Sequence, residues 1–197
     1  MIKKLLNNNF NNIINAVKIA CPKENLYYQK RLKYYPPGKN TFLGNMNCGI
    51  VCYLTSFLLS QNKIEHQVWL SSYGYGEYLE DHVYILINDE LIIDPTYKQF
   101  FTDYRGTGNC NYDKFLFEDL DPFFIGSTQE LDNLKQKIQD HNIKNFGDLE
   151  QNIKELSNFW IKQKNVTNKF NLYENWKTKK TDPILKSNYD FLKPLIG

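Results

Sequence analysis

Hydrophobic and polar positions fall into blocks of different period along this chain. Over Ile2–Ala20 the residues Ile2, Leu5, Leu6, Phe10, Ile13, Ile14 and Val17 recur at steps of three and four. This spacing predicts one amphipathic helix, despite the weak helix propensity of its asparagines. Pro22 ends it. Residues 23–47 hold Pro36-Pro37-Gly38 and Gly44 and read as a long irregular connection, a feature that in compact domains often carries function. From Gly49 to Gln61, Val51, Cys52, Leu54, Leu58 and Leu59 occupy adjoining helical faces, which predicts a central helix buried over much of its circumference.

The period then changes to two. Ile64, His66, Val68 and Leu70 alternate as on a strand, which Tyr73-Gly74-Tyr75-Gly76 is expected to break, leaving a Tyr73–Tyr78 loop that holds one wall of any cleft. Val83–Ile87 and Leu91–Ile93 are short β-branched runs around Asn88-Asp89-Glu90, a hairpin signal, and Asp94-Pro95 closes the second run. Between Tyr97 and Asp121 the period is weak, with one further strand expected at Lys114–Phe117. Ser127 and Glu130 have capping-box spacing, and Leu131, Leu134 and Ile138 continue a helix from there. Leu149, Ile153, Leu156 and Trp160 form a second apolar stripe. The last thirty or so residues, with Trp176, Phe191 and Leu195, read as a surface wrap. Helices flanking a block of antiparallel strands define an α+β chain. With no repeat or linker, residues 1–197 are expected to form one domain, with a core at about 40–125 and a C-terminal helical elaboration at about 126–197.

Composition narrows the function classes. Hydrophobic residues at 42% and aromatics at 15% suffice for a sizeable core, which excludes general disorder. A formal charge of +2 with dispersed lysines does not point to nucleic acid; the Lys30–Lys39 strip and its neighbours Tyr27, Tyr28, Tyr34 and Tyr35 read as an aromatic, solvated loop. Cysteines at 21, 48, 52 and 110 do not make a disulfide framework and are expected as thiols. With three histidines and no C-x-x-C spacing they offer no zinc site, so no metal or cofactor is expected. Asn7-Asn8-Asn9 interrupts the basic start before an apolar stretch can form, and no window reaches 18 apolar residues. The expectation is a cytoplasmic protein without membrane association, its oligomeric state open.

A thiol attacks as thiolate, so a reactive cysteine needs a site that stabilises negative charge. Cys48 opens the apolar helix, where free backbone N–H groups and the helix dipole favour an anion, and Gly49 lets another backbone approach. Cys52, one turn on, reads as core filler. His82 begins the first hairpin strand and Asp94 ends the second. A turn centred on Asn88 makes them direct cross-strand neighbours, and one centred on Asp89 makes them diagonal partners on one face. A strict two-residue Asn88-Asp89 turn sends them to opposite faces. Neighbours on one face allow a carboxylate to hold one imidazole nitrogen while the other addresses a thiol. His66 reads as a strand residue, His141 as a charge complement at a helix C-terminus, and Glu80 and Asp81 as solvated loop carboxylates.

The run Cys48-Gly49-Ile50-Val51-Cys52 through Leu58-Leu59, with Ile64 sixteen residues after Cys48, resembles the transglutaminase-like superfamily, in which a nucleophilic cysteine opens a helix. His82-Val83-Tyr84 resembles that superfamily's histidine before a hydrophobic strand, and Asp94-Pro95-Thr96 its Asp-Pro-Thr ending. The similarity spans residues 44–97 and departs at Gly49, where tryptophan is frequent, and at Asn45-Met46-Asn47 before the cysteine. The resemblance implies a papain-like core, with the cysteine helix packed on an antiparallel sheet, and a Cys48-His82-Asp94 triad. Asn45 or Asn47 is the candidate side-chain oxyanion donor, with helix capping as the alternative. The implied activity is a thiol hydrolase of amide bonds, a cysteine peptidase or amidase acting on a protein or peptide. Transglutaminase or deamidase activity, an acetyltransferase-like enzyme and a non-catalytic module on the same fold stay open.

Overall fold

A computed structural model describes residues 1–20, 48–75, 78–101, 119–141, 149–160 and 166–170. The expected N-terminal helix is two helices, α1 (Ile2–Asn8) and α2 (Phe10–Ala20), parted at Asn9. There the Asn9 side chain donates to the Leu5 carbonyl at 2.9 Å, the competition with backbone hydrogen bonding that makes asparagine a poor interior helix residue. Helix α3 (Cys48–Gln61) ends with Lys63 at φ 59°. Lys63 N–H bonds Ser60 O and Ile64 N–H bonds Leu59 O, a Schellman close with lysine in the place that glycine usually takes.

Five strands follow in the order β4-β3-β2-β1-β5, all neighbours antiparallel: β1 (Gln67–Tyr75), β2 (Tyr78–Ile87), β3 (Leu91–Asp94), β4 (Phe124–Gly126) and β5 (Val166–Phe170). Strand β1 starts later than the alternation suggested, with His66 in the preceding segment, and it runs through Tyr73-Gly74-Tyr75. Tyr75 pairs with Tyr78, so the described residues of the supposed cleft-wall loop, Tyr73–Tyr75 and Tyr78, lie on paired strands. Glu80 and Asp81 accordingly lie on β2 and not in a loop. Ladder pairing between β1 and β2 overrides the local glycine signal at Gly74. The expected strand at Lys114–Phe117 lies outside the described residues. Strands β4 and β5, unforeseen, are too short or too polar to show a period.

Side chains of alternate residues separate two cores on the two sheet faces. Val68, Ile85, Ile87 and Ile93 pack with Leu6, Ile13, Val51, Cys52, Leu54 and Leu59 from α1–α3. Trp69, Tyr84, Leu86 and Ile92 pack on the other face with α4 (Leu131–Asp140) and α5 (Leu149–Trp160). The architecture is α+β, a sheet between two helical layers. At the start of α4 the expected capping box is present between Ser127 and Glu130, with a short 3-10 turn at Thr128–Glu130. A second 3-10 turn, Tyr97–Phe101, follows β3. It is tied down by Tyr97 Oη donating to Asp121 O at 2.6 Å and buried Lys98 Nζ donating to Leu120 O at 2.9 Å. No helix among the described residues is long and apolar enough to cross a membrane.

Candidate active site

The β2–β3 hairpin turns at Asn88 and Asp89, with φ 51° and 59°, the left-handed region that tight hairpin turns use, and Glu90 N–H bonds Ile87 O. Ile87 pairs with Leu91 and Ile85 with Ile93. This is the register centred on Asp89, so His82 and Asp94 are diagonal partners on one face. His82 Nε2 lies 2.6 Å from Asp94 Oδ2, with both residues buried, at 1% and 0% exposure.

Each carboxylate oxygen has more than one donor. Asp94 Oδ1 accepts from Thr96 N–H at 2.9 Å and from Thr96 Oγ1 at 3.4 Å. Asp94 Oδ2 accepts from the Trp160 indole N–H at 2.9 Å as well as from His82. Proline after Asp94 and threonine after that make the turn that places Thr96 N–H under its own chain's carboxylate. Phe100 and Phe159 stand edge-on to the imidazole, with ring centroids at 4.9 and 5.5 Å. Gln99 Nε2 lies 3.2 Å from His82 Nδ1 and 3.1 Å from Thr96 Oγ1.

Helix α3 lies on the face opposite His82, yet Cys48 reaches the imidazole. Strand β2 pairs with β3 only over Ile85–Ile87, which leaves the β2 backbone at Val83 without a strand on that side. Cys52 Sγ donates to Val83 O at 3.1 Å, and Cys48 lies near enough to His82 and to the Val83 backbone for both to lower its pKa. The first turn of α3 thus closes the seam where β3 has ended. With Nε2 engaged by Asp94, Nδ1 is the imidazole nitrogen left to address a thiol, and Gln99 Nε2 lies beside it.

Electrostatics divides the two thiols. Burial alone raises the Cys48 pKa and Asp94 adds to this, but the hydrogen bond and charge of His82, with the Val83 backbone bond, outweigh both and hold it below the ordinary thiol value. Burial would lower His82, whereas the Asp94 charge and hydrogen bond and the Cys48 contact raise it to about 10. Both shifts run in the direction that favours transfer of the Cys48 proton to His82. Cys52, fully buried and with Asp94 and Cys48 adding negative charge, is pushed well up and stays a thiol.

The other histidines stand apart. His66 is buried between Ser56 Oγ, 2.6 Å from Nε2, and Ile64 O, 2.8 Å from Nδ1, and burial lowers it to about 4. A carbonyl accepts only, so Nδ1 carries the proton and Nε2 accepts from Ser56, which makes this a neutral clasp between α3 and the segment that leads into β1. His141 caps α4 through Lys137 O. Asn45, Asn47, Cys21 and Cys110 lie outside the described residues. No cluster of three or more metal-ligating side chains occurs among the described residues.

Gln99, Phe100, Phe159 and the polar role of Trp160 were not foreseen. Trp160 stood out only as the end of an apolar stripe, and its indole N–H leaves no mark in a hydrophobic pattern. No protein-family model, curated protein or solved structure matches this chain.

Proposed function

We propose that this chain is a thiol-dependent amide hydrolase that works through Cys48, His82 and Asp94 on a transglutaminase-like, papain-like core. The observation that carries the reading is the buried 2.6 Å His82–Asp94 contact, with Cys48 close enough to the same imidazole for its pKa to be lowered by it. Buried charges are costly unless a site uses or compensates them, and an aligned carboxylate, imidazole and thiol is the arrangement that acyl transfer requires.

Cys48 Sγ, its proton already on His82 Nδ1, attacks the amide carbonyl carbon. The tetrahedral intermediate expels the amine, which takes that proton, and leaves a thioester. His82 then removes a proton from water as it adds to the thioester, and the Cys48 sulfur departs as thiolate beside the imidazolium, which restores the starting pair. Asp94 stays ionised and holds the ring. Oxyanion donors are expected from the start of α3 and from Asn45 or Asn47. A primary amine in place of water would make the same site a transglutaminase.

The test is ammonia release from glutamine-containing peptides, together with peptide-bond cleavage read by mass spectrometry, for the intact chain and Cys48→Ala. Turnover that needs Cys48 supports the reading, and added primary amine separates hydrolysis from transamidation. Turnover unaffected by Cys48→Ala sinks it, as does a chain inert to every amide and activated ester offered.

A further inference from the structure

We infer that Trp160 is a positioning residue of this site: its indole N–H fixes the Asp94 carboxylate in the orientation that pairs His82 with Cys48, which makes α5 part of the catalytic apparatus. The inference rests on the proposed Cys48 chemistry and deepens it.

Three observations converge on Trp160. First, the atoms can play only one part each, because an indole N–H only donates and a carboxylate oxygen only accepts. Their 2.9 Å contact is buried at both ends, at 4% exposure for Trp160 and 0% for Asp94. Second, the bond falls on Oδ2, the oxygen that takes His82, while both bonds from Thr96 fall on Oδ1. Thr96 anchors the carboxylate by one oxygen, and only Trp160 joins His82 on the other among the bonds described. Third, the indole has its own support. Its ring lies 4.3 Å from that of Phe124 on β4, and the preceding residue, Phe159, stands against the His82 ring. The last two residues of one helix therefore touch both members of the His82–Asp94 pair.

The bond matters because His82 changes protonation in each half of the reaction. An imidazole is a shifting partner for a carboxylate, whereas the indole donates at every stage. Asp94 thus keeps its aim when His82 has passed its proton to the leaving amine. Without that donor, Oδ2 has one partner fewer, the carboxylate pivots on Oδ1, and the imidazolium loses a fixed counter-charge.

The experiment compares the intact chain with Trp160→Phe, Phe124→Leu and His82→Ala. It reads the rate of iodoacetamide labelling at Cys48 across pH, along with thermal unfolding. Trp160→Phe is expected to move the Cys48 profile toward higher pH and to slow labelling at pH 6 about tenfold, the weight of one hydrogen bond to a charged group. Phe124→Leu removes the ring packed against the indole and is expected to move the profile in the same direction but by less, with thermal stability lowered. A Trp160→Phe profile that superimposes on the parent, while the parent's reactivity still depends on His82, overturns the inference and leaves the proposed function standing. A parent profile of an ordinary thiol, indifferent to His82→Ala, overturns the proposed function and the inference with it. Should Trp160→Phe not fold, the indole proton of Trp160 in the intact chain is followed by NMR, assigned through its contact with Phe124. Slow exchange and a shift on His82→Ala support the inference, and exchange as fast as that of an exposed indole overturns it.

Discussion

Replacing Asp94 by Asn changes one atom and leaves no good arrangement. Asp94 Oδ1 faces Thr96 N–H, and Oδ2 faces both His82 Nε2 and the Trp160 indole. An asparagine that keeps its oxygen toward Trp160 and His82 sets its NH₂ against the Thr96 N–H. The flipped amide sets NH₂ against the indole, and it satisfies His82 only if Nε2 accepts. In the flipped case the imidazole proton sits on Nδ1, facing Cys48, and the ring cannot take the thiol proton. Either way the carboxylate charge that sustains the raised His82 pKa is gone. Breaking a buried charge pair by removing one partner costs about 3–5 kcal/mol, so the variant is expected to fold with reduced stability. An ordinary thiol near pKa 8.5 is about one part in 300 thiolate at pH 6, which sets the scale of the loss in Cys48 labelling at that pH. The greater intrinsic nucleophilicity of a more basic thiolate recovers part of it, so a fall of about 30-fold or more is expected. The assay is the rate of carbamidomethylation at Cys48, resolved by peptide mass spectrometry, with far-ultraviolet circular dichroism to show that the variant is folded. A folded Asp94→Asn protein that labels at the parent rate at pH 6 would refute the argument that the carboxylate sustains the thiolate.

Further expectations concern the surroundings. His66 is lowered to about 4 in the folded protein, so its neutral clasp is intact above pH 6.5 and its contribution is lost as pH falls from 6.5 toward 4. The shift corresponds to about 3 kcal/mol, and urea unfolding of the parent against His66→Gln between pH 7 and 4.5 should show a steeper acid loss in the parent. Cys52→Ala removes a buried thiol that donates to Val83 O, and is expected to cost about 1–2 kcal/mol while leaving Cys48 labelling and turnover in place. A variant that abolishes turnover without unfolding would make Cys52 part of the chemistry. Gln99→Met removes a neutral amide beside His82 Nδ1, and a change of about fivefold or less in Cys48 labelling is expected, the scale of one neutral hydrogen bond. A loss as large as that in Asp94→Asn would give Gln99 a larger role.

What was legible in the sequence followed from period and from turn chemistry. The apolar run from Val51 to Leu59 gave α3, and the β-branched runs around Asn88-Asp89-Glu90 gave the hairpin. Three possible registers were on hand, and the pairing of Ile87 with Leu91 and Ile85 with Ile93 is the one centred on Asp89, which puts His82 and Asp94 on one face. The break at Asn9 and the length of β1 and β2 were misread for one reason: side-chain bonding and ladder pairing decide them, and neither leaves a periodic trace. The aromatic and amide surroundings of His82 come from the turn after β3 and from the end of α5, far apart in the chain. Trp160 reads as one more apolar residue until the fold sets its N–H against a carboxylate 66 positions away.

The central claim is that Cys48 forms an acyl-enzyme with the help of His82. Mixing the intact protein with p-nitrophenyl acetate, quenching in acid within seconds and mapping the acetyl group by peptide mass spectrometry tests it directly. The account predicts a thioester on Cys48 that forms quickly at pH 6–7, turns over in water and is absent from His82→Ala. Acetylation confined to lysines, or equal at Cys48 with and without His82, would contradict it.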